Sequence, residues 1–170
     1  MKSFLSASLI ALFVGFASFA SAQEKEKPVA AESQRKLSAL FATLGKDNTC
    51  SKVSNSEAWE CSYRGHGLRQ ISVRVSLIRE PVIDADVVLV TSLFAAKTEF
   101  PDTPDFLSRL LKFNIHIDFA KLAITDDGRI LLLALCPVRL VDKEELTLML
   151  DQVAAANNEA FDAFQKDAKQ

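Results

Sequence analysis

Histidine, cysteine and glycine are scarce in this chain of 170 residues, which has two, three and five of them, with one tryptophan and one tyrosine. That scarcity narrows the chemistry. The glycines form no phosphate-cradling loop, the cysteines include no CxxC pair, and His66 and His116 lie far apart with no metal-ligand spacing. No catalytic, cofactor-binding or metal-binding residue set is assigned from the sequence. A strong excess of one charge is also missing. Twenty basic residues face 22 acidic ones, for a formal net charge of −2. Such a chain is a poor nucleic-acid ligand, because that affinity rests on neutralising phosphates. Arg64, Arg69, Arg74 and Arg79 do not change this. Their odd spacing alternates between the two faces of a strand, so they form no stripe. There are no internal repeats and no low-complexity tracts.

A long apolar run occurs at the N-terminus. Lys2 precedes the apolar stretch LIALFVGFA at 9–17, and Ala20, Ser21 and Ala22 follow with small side chains. This layout predicts a secretory signal peptide over 1–22, cut between Ala22 and Gln23. The alternative is an uncleaved anchor. Residues 4–20 are near the lower length limit for a span and are diluted by Ser6, Ser8, Gly15 and Ser18. No stable membrane insertion is expected after cleavage. The first cysteine is Cys50, which argues against a lipid anchor at the cleavage site. The expected location is periplasmic or secreted. Residues 23–31 read as a charged, flexible leader, and 32–167 as a single domain large enough for a real core.

Export makes disulfides permissible. A hairpin centred between Asn55 and Ser56 sets residue 50 opposite residue 61. With a four-residue loop at 54–57 the two are a non-hydrogen-bonded pair, close enough for a bridge between Cys50 and Cys61. Pairing with Cys136, or three free thiols, are the alternatives.

Hydrophobic spacing gives the elements. Leu37, Leu40, Phe41 and Leu44 share one helical face, and Gly45 supplies a stop. The pattern then changes to period two. Trp59, Cys61 and Tyr63 alternate with polar residues. After a turn at Gly65, His66 and Gly67, Ile71, Val73, Val75 and Leu77 alternate with Gln70, Ser72, Arg74 and Ser76. The run ADVVLVTSLF is apolar on both faces and reads as a more central strand. Thr103, Pro104 and Asp105 start a second helix whose predicted buried stripe is Phe106, Leu107, Leu110 and Leu111. Two strands follow. Asp142 and Glu145 resemble a capping box for a last helix, with Leu146, Met149, Leu150, Val153, Ala160, Phe161 and Phe164 as its apolar stripe. The order is α-β-β-β-α-β-β-α, with one more early strand if 50–53 pairs. That is an α+β domain, helices packed on an antiparallel sheet.

Few residues invite chemistry. Asp126, Asp127 and Gly128 could be part of a calcium loop, but the further oxygen ligands and late glutamate are missing, and Asp-Gly suits a two-residue type I′ turn. His66 reads as a solvated loop residue. His116, Asp118 and Cys136 could be drawn as a hydrolase or ligand-binding set, which would require the three to converge. Trp59 and Tyr63 read as core, with a binding surface on the sheet as the alternative.

The segment LLKFNIHIDFAKLAITDDGRILLLA at 110–134 resembles the YbjN family. The points of likeness are Asn114 near the end of the second helix, Phe119 and Lys121 opening the next strand, Asp127, Gly128 and Arg129 at the hairpin tip, and the acidic start of the last helix. The resemblance spans about 32–167. It implies the fold of type III secretion chaperones, frequent dimers, and a chaperone-like or regulatory role in protein interaction, with no catalytic residues to carry over. The partner it implies is a protein or peptide, or a second copy forming a homodimer. Phe113, at the edge of the second helix's stripe, is then a candidate interface residue beside Trp59 and Tyr63.

Overall fold

The computed structural model describes residues 28–44, 49–101 and 103–168. The predicted signal peptide, its junction at Ala22 and Gln23, most of the leader and the Gly45 stop lie outside these residues. The elements are α1 (Ala31–Thr43), β1 (Cys50–Lys52), β2 (Trp59–Arg64), β3 (Gln70–Glu80), β4 (Ala85–Ala96), α2 (Pro104–His116), β5 (Lys121–Ile124), β6 (Arg129–Pro137) and α3 (Lys143–Phe164). The strands form one antiparallel sheet in the order β1-β2-β3-β4-β6-β5. The chain is an α+β domain, and residues 50–52 supply the additional early strand by pairing with β2.

The helices lie on one face of the sheet. Phe41 of α1 stacks on Trp59 of β2 at 4.6 Å between ring centroids. Asn157 of α3 donates to Ser92 Oγ of β4 at 2.8 Å and to the Leu93 carbonyl at 3.1 Å. Between these layers sit Val73, Val75, Val88, Val90, Ile130 and Leu132, all inaccessible, facing Leu146, Met149, Leu150 and Val153 of α3. Burying such a side chain contributes roughly 1.5–3 kcal/mol. The register of β4 shifts between Leu93 and Ala95. This bulge re-aims Phe94 into a cluster of rings. Phe94 stacks on Phe100, Phe100 on Phe106, and Phe94, Phe106 and Phe113 meet Phe164 edge-on. The cluster fastens α2 to the end of α3.

Each helix start is accounted for. Phe106 N–H donates to Thr103 Oγ1, and Glu145 N–H donates to Asp142 Oδ1. Before α1 the N-cap residue is Ala30, which has no capping side chain. Asp86 substitutes from β4, accepting from Ala30 N–H at 3.0 Å and from Ser33 Oγ at 2.6 Å.

Two sequence expectations are corrected. The sequence spacing puts Leu111 in the buried stripe of α2, but it is 69% exposed, and Phe106 and Leu110 carry the burial. The hairpin at Asp127 and Gly128 is not a type I′ turn. Gly128 has φ +78° while Asp127 keeps a negative φ, and Thr125 N–H donates to the Arg129 carbonyl. The loop therefore has three residues, and a third residue removes the need for a second positive φ. Asp127 accepts from the Thr125 hydroxyl and pairs with Arg129 at 2.8 Å, so its carboxylate is spent on the turn.

Candidate functional site

Cys50 and Cys61 stand opposite each other in the β1/β2 ladder and are joined by a disulfide, with Cα atoms 4.0 Å apart. Ser62 N–H donates to the Thr49 carbonyl beside them, the pattern that flanks a non-hydrogen-bonded pair. The bridge staples a three-residue edge strand to the sheet.

Trp59 is 7% exposed beneath Phe41, so it is a core residue. Tyr63 on the same face is half-buried. Burial, then the Asp151 carboxylate, pushes its phenol well above the usual tyrosine range. Phe113 is also half-buried, with its ring 5.3 Å from that of Phe164.

His116, Asp118 and Cys136 are not brought together. His116 ends α2 and Asp118 lies in the following link, both exposed. Cys136 is a free, buried cysteine on the helix-covered side of β6, and its Sγ contacts the Pro137 carbonyl at 3.8 Å. Burial, reinforced by Glu145 and partly offset by Lys36, pushes its thiol up. A thiol held protonated is a poor nucleophile. Among the described residues no hydrogen bond joins any two of the three, and no group of three or more His, Cys, Asp or Glu could hold a metal ion.

His66 has a partner its own neighbourhood in sequence does not reveal. Its ring Nδ1 lies 2.8 Å from Asp162 Oδ2, and its N–H donates to Asn158 Oδ1 at 3.0 Å. Both acceptors are on α3. A Cβ at Gly65 would lie 2.8 Å from Asn158 Oδ1, so a side chain there would push aside the amide that accepts from the His66 N–H. The pair is exposed and fixes the β2–β3 loop.

The residues of the 110–134 segment act on one another. Asn114 bonds both backbone groups of Leu122, while Lys121 Nζ donates to the carbonyls of Asn114, Ile117 and Asp118. Thus Lys121 caps the C-terminal end of α2, where backbone carbonyls lack partners.

Besides Val82 and Ile83 in the β3–β4 turn, Leu140 in the β6–α3 link and Leu148 on α3, the exposed large apolar side chains lie on two surfaces. Leu111 and Ile115 of α2 are 69% and 78% exposed, and Ile124 is partly exposed on β5, the strand that α2 is tied to. On the uncovered side of the sheet, Leu93 and Leu135 are 57% and 49% exposed. Sequence spacing missed the first surface, because an apolar run at 106, 107, 110 and 111 fills two adjacent rows of a helix and does not say which row faces inward.

No helix of the described residues is long and apolar enough to cross a membrane. No protein-family model matches the chain, and no curated protein matches it. Among solved structures it is similar to the crystal structure of the ExsC–ExsE complex, at 15% identity over 82% of this chain and 96% of the matched chain, with a TM-score of 0.49.

Proposed function

We propose that this chain is an exported, non-enzymatic protein-interaction module of chaperone-like or regulatory type, acting in the periplasm or outside the cell on a protein or peptide partner. The observation that carries the reading is the exposed stripe on α2. Leu111 and Ile115 are spaced i, i+4, so they stand one above the other on the outer face of the helix. Large apolar side chains placed so are anchors that a partner can desolvate. Phe113 serves the core through Phe164, and Trp59 lies beneath Phe41, so neither is assigned that role. The likeness of 110–134 to the YbjN family accords with this reading, and the bridge between Cys50 and Cys61 accords with an oxidising compartment.

The test is affinity capture from the organism's own envelope fraction with the wild-type protein and with a Leu111→Asp, Ile115→Asp double variant. The expected result is a protein retained by the wild type and lost by the variant, with circular dichroism unchanged. Capture that ignores the substitution removes α2 from the proposal. Turnover of any substrate that vanishes in His116→Ala, with binding intact, would instead support the rival reading of a small hydrolase or ligand-binding domain using His116, Asp118 or Cys136.

A further inference from the structure

β3 and β4 are paired over only part of their length. Gly65 N–H donates to the Arg69 carbonyl, so the odd residues from 69 onward bond to β2 and the even residues of β3 face β4. The last rung between β3 and β4 is Arg74 with Thr91. Continued by one step, the ladder would join Ser72 to Leu93. Side chains replace that rung. Ser92 Oγ donates to the Ser72 carbonyl at 2.8 Å, and Asn157 Nδ2 donates to the Leu93 carbonyl at 3.1 Å. Beyond the bulge between Leu93 and Ala95, β4 continues beside β6 and no longer beside β3. The N–H groups of Ser72 and Leu93 therefore lie outside the β3–β4 ladder, at the root of a fork in the sheet.

The fork holds a cleft of about 540 Å³ whose lining includes Arg69, Ser72, Leu93, Ala96, Glu99 and Arg129. That volume is in the range of small-molecule sites. The cleft joins the two sides of the sheet. Leu93 lies on the uncovered side and is 57% exposed, whereas Arg69 reaches α3. There its Nη2 donates to Asn157 Oδ1 and its guanidinium lies 4.4 Å from the Phe161 ring. Its Nη1 is buried with no hydrogen-bond partner among the described residues. A donor of a charged group left dry in this way is costly, and an acceptor that reaches it removes the cost. The side chain as a whole is only partly buried, so a ligand in the cleft can meet it. The other charges nearby are committed. Arg129 pairs with Asp127 at 2.8 Å, and Glu99 Oε1 accepts from the Ala96 N–H at 3.2 Å. Asp162, whose charge opposes the effect of burial on Arg69, is bonded to His66.

These features constrain the occupant. A helix, about 10–12 Å across, is too wide for a fork that opens from one strand spacing of about 4.8 Å. A guanidinium is the side chain suited to carboxylate and phosphate oxygens. One unmatched cation, with the Glu99 carboxylate also lining the cleft, suits a single negative charge and turns away a dianion. The rest of the lining includes Ile71, Leu93 and Ala95, which take an apolar group. We propose that the fork between β3 and β4 binds a monocarboxylate carried on a short apolar stem. Its carboxylate is held by Arg69, with the N–H groups of Ser72 and Leu93 as further donors at the root of the fork, and its stem lies against Leu93 and Ala95. This site goes beyond the proposed function and is independent of the stripe on α2.

Titration of the full oxidised chain with sodium hexanoate, read by calorimetry and by amide NMR shifts, tests it. The expected result is saturable binding of one hexanoate per chain, with shifts centred on Ser72 and Leu93. Hexanamide, which has the same shape without the charge, should bind about tenfold or more weakly, the worth of a hydrogen bond to a charged group. Arg69→Gln should weaken hexanoate to the same degree. If that variant unfolds, because Arg69 also holds Asn157, Leu93→Glu serves instead. It sets a competing carboxylate at an exposed position of the cleft and should weaken binding in a folded chain. Absence of saturable binding overturns the proposal. So do equal binding of hexanamide, shifts that gather at Leu111 and Ile115, or binding unchanged in folded Leu93→Glu. Displacement of hexanoate by an equal concentration of inorganic phosphate overturns the assignment to a single charge. An acetylated dipeptide with a free C-terminus presents the same carboxylate on a peptide. Whichever of the two probes binds more tightly identifies the source, and either one supports the site. None of these results alters the separate test of α2.

Discussion

Asn114 of α2 hydrogen-bonds both of the backbone groups of Leu122. Its side-chain nitrogen donates to the Leu122 carbonyl at 2.9 Å, and its side-chain oxygen accepts from the Leu122 N–H at 2.6 Å. β5 is the last strand of the sheet, so one side chain stands where a seventh strand would pair.

Asn114→Leu should therefore destabilise the domain by about 1–3 kcal/mol, since both groups of Leu122 lose their partner. Asn114→Asp keeps the acceptor and should cost less. Urea unfolding midpoints of the two variants check the order. Leucine should also bring aggregation, because an unpaired edge is a template for another chain.

Asp86 should make folding acid-sensitive. Its burial would raise its pKa, but hydrogen bonds from Ser33, the Ala30 N–H and Arg79 outweigh that and hold it below the usual aspartate range. A depressed carboxyl stabilises the fold fully above its unfolded value of about 4 and loses that contribution as pH falls through the lower folded value. Asp86→Asn should cost about 2 kcal/mol at neutral pH, the scale of a hydrogen bond to a charged group. The gap between wild type and variant should close as the pH is lowered. A gap independent of pH in denaturant titrations would show that the charge contributes nothing.

Reduction of the bridge, or Cys50→Ala with Cys61→Ala, should cost about 3 kcal/mol by the loop-closure entropy of so short a loop. Loss should begin locally. Hydrogen exchange should show β1 opening first, since it has three residues and a single neighbour, while β3, β4 and β6 stay protected.

Export predicts a mature chain beginning at Gln23. Intact-mass spectrometry of protein from the native envelope should find it. A product that retains Met1 would return the N-terminal segment to the anchor reading.

Much of the fold was legible because it follows simple periods. The alternation in 70–77 gave β3 and its inward face, and the capping residues Thr103 and Asp142 gave the starts of α2 and α3. The disulfide was legible through hairpin symmetry. What stayed hidden depends on partners distant in sequence. Asp162 lies 96 residues from His66, and nothing local joins them. Asn114 was visible as part of a motif, yet its task exists only once β5 is formed beside it. The run ADVVLVTSLF reads as a more central strand, and β4 is one, yet its Leu93 stays exposed because the helices cover only one face of the sheet.

Asn157 has a consequence for the order of the whole molecule. It is fully buried, bonds Ser92 and Leu93, and accepts from Arg69, whose guanidinium lies 4.4 Å from the Phe161 ring. The surrounding contact between α3 and the sheet is almost wholly aliphatic, and aliphatic layers are nearly indifferent to sliding. A slip of one helical turn, about 5.4 Å, would keep much of the oily contact but part the Asn157 amide from the Leu93 carbonyl and leave Ser92 with only its bond to the Ser72 carbonyl. One amide thus acts as a detent. It selects a single alignment of helix on sheet from several of similar hydrophobic content, and in doing so sets where Phe164 arrives, and with it the ring cluster that holds α2.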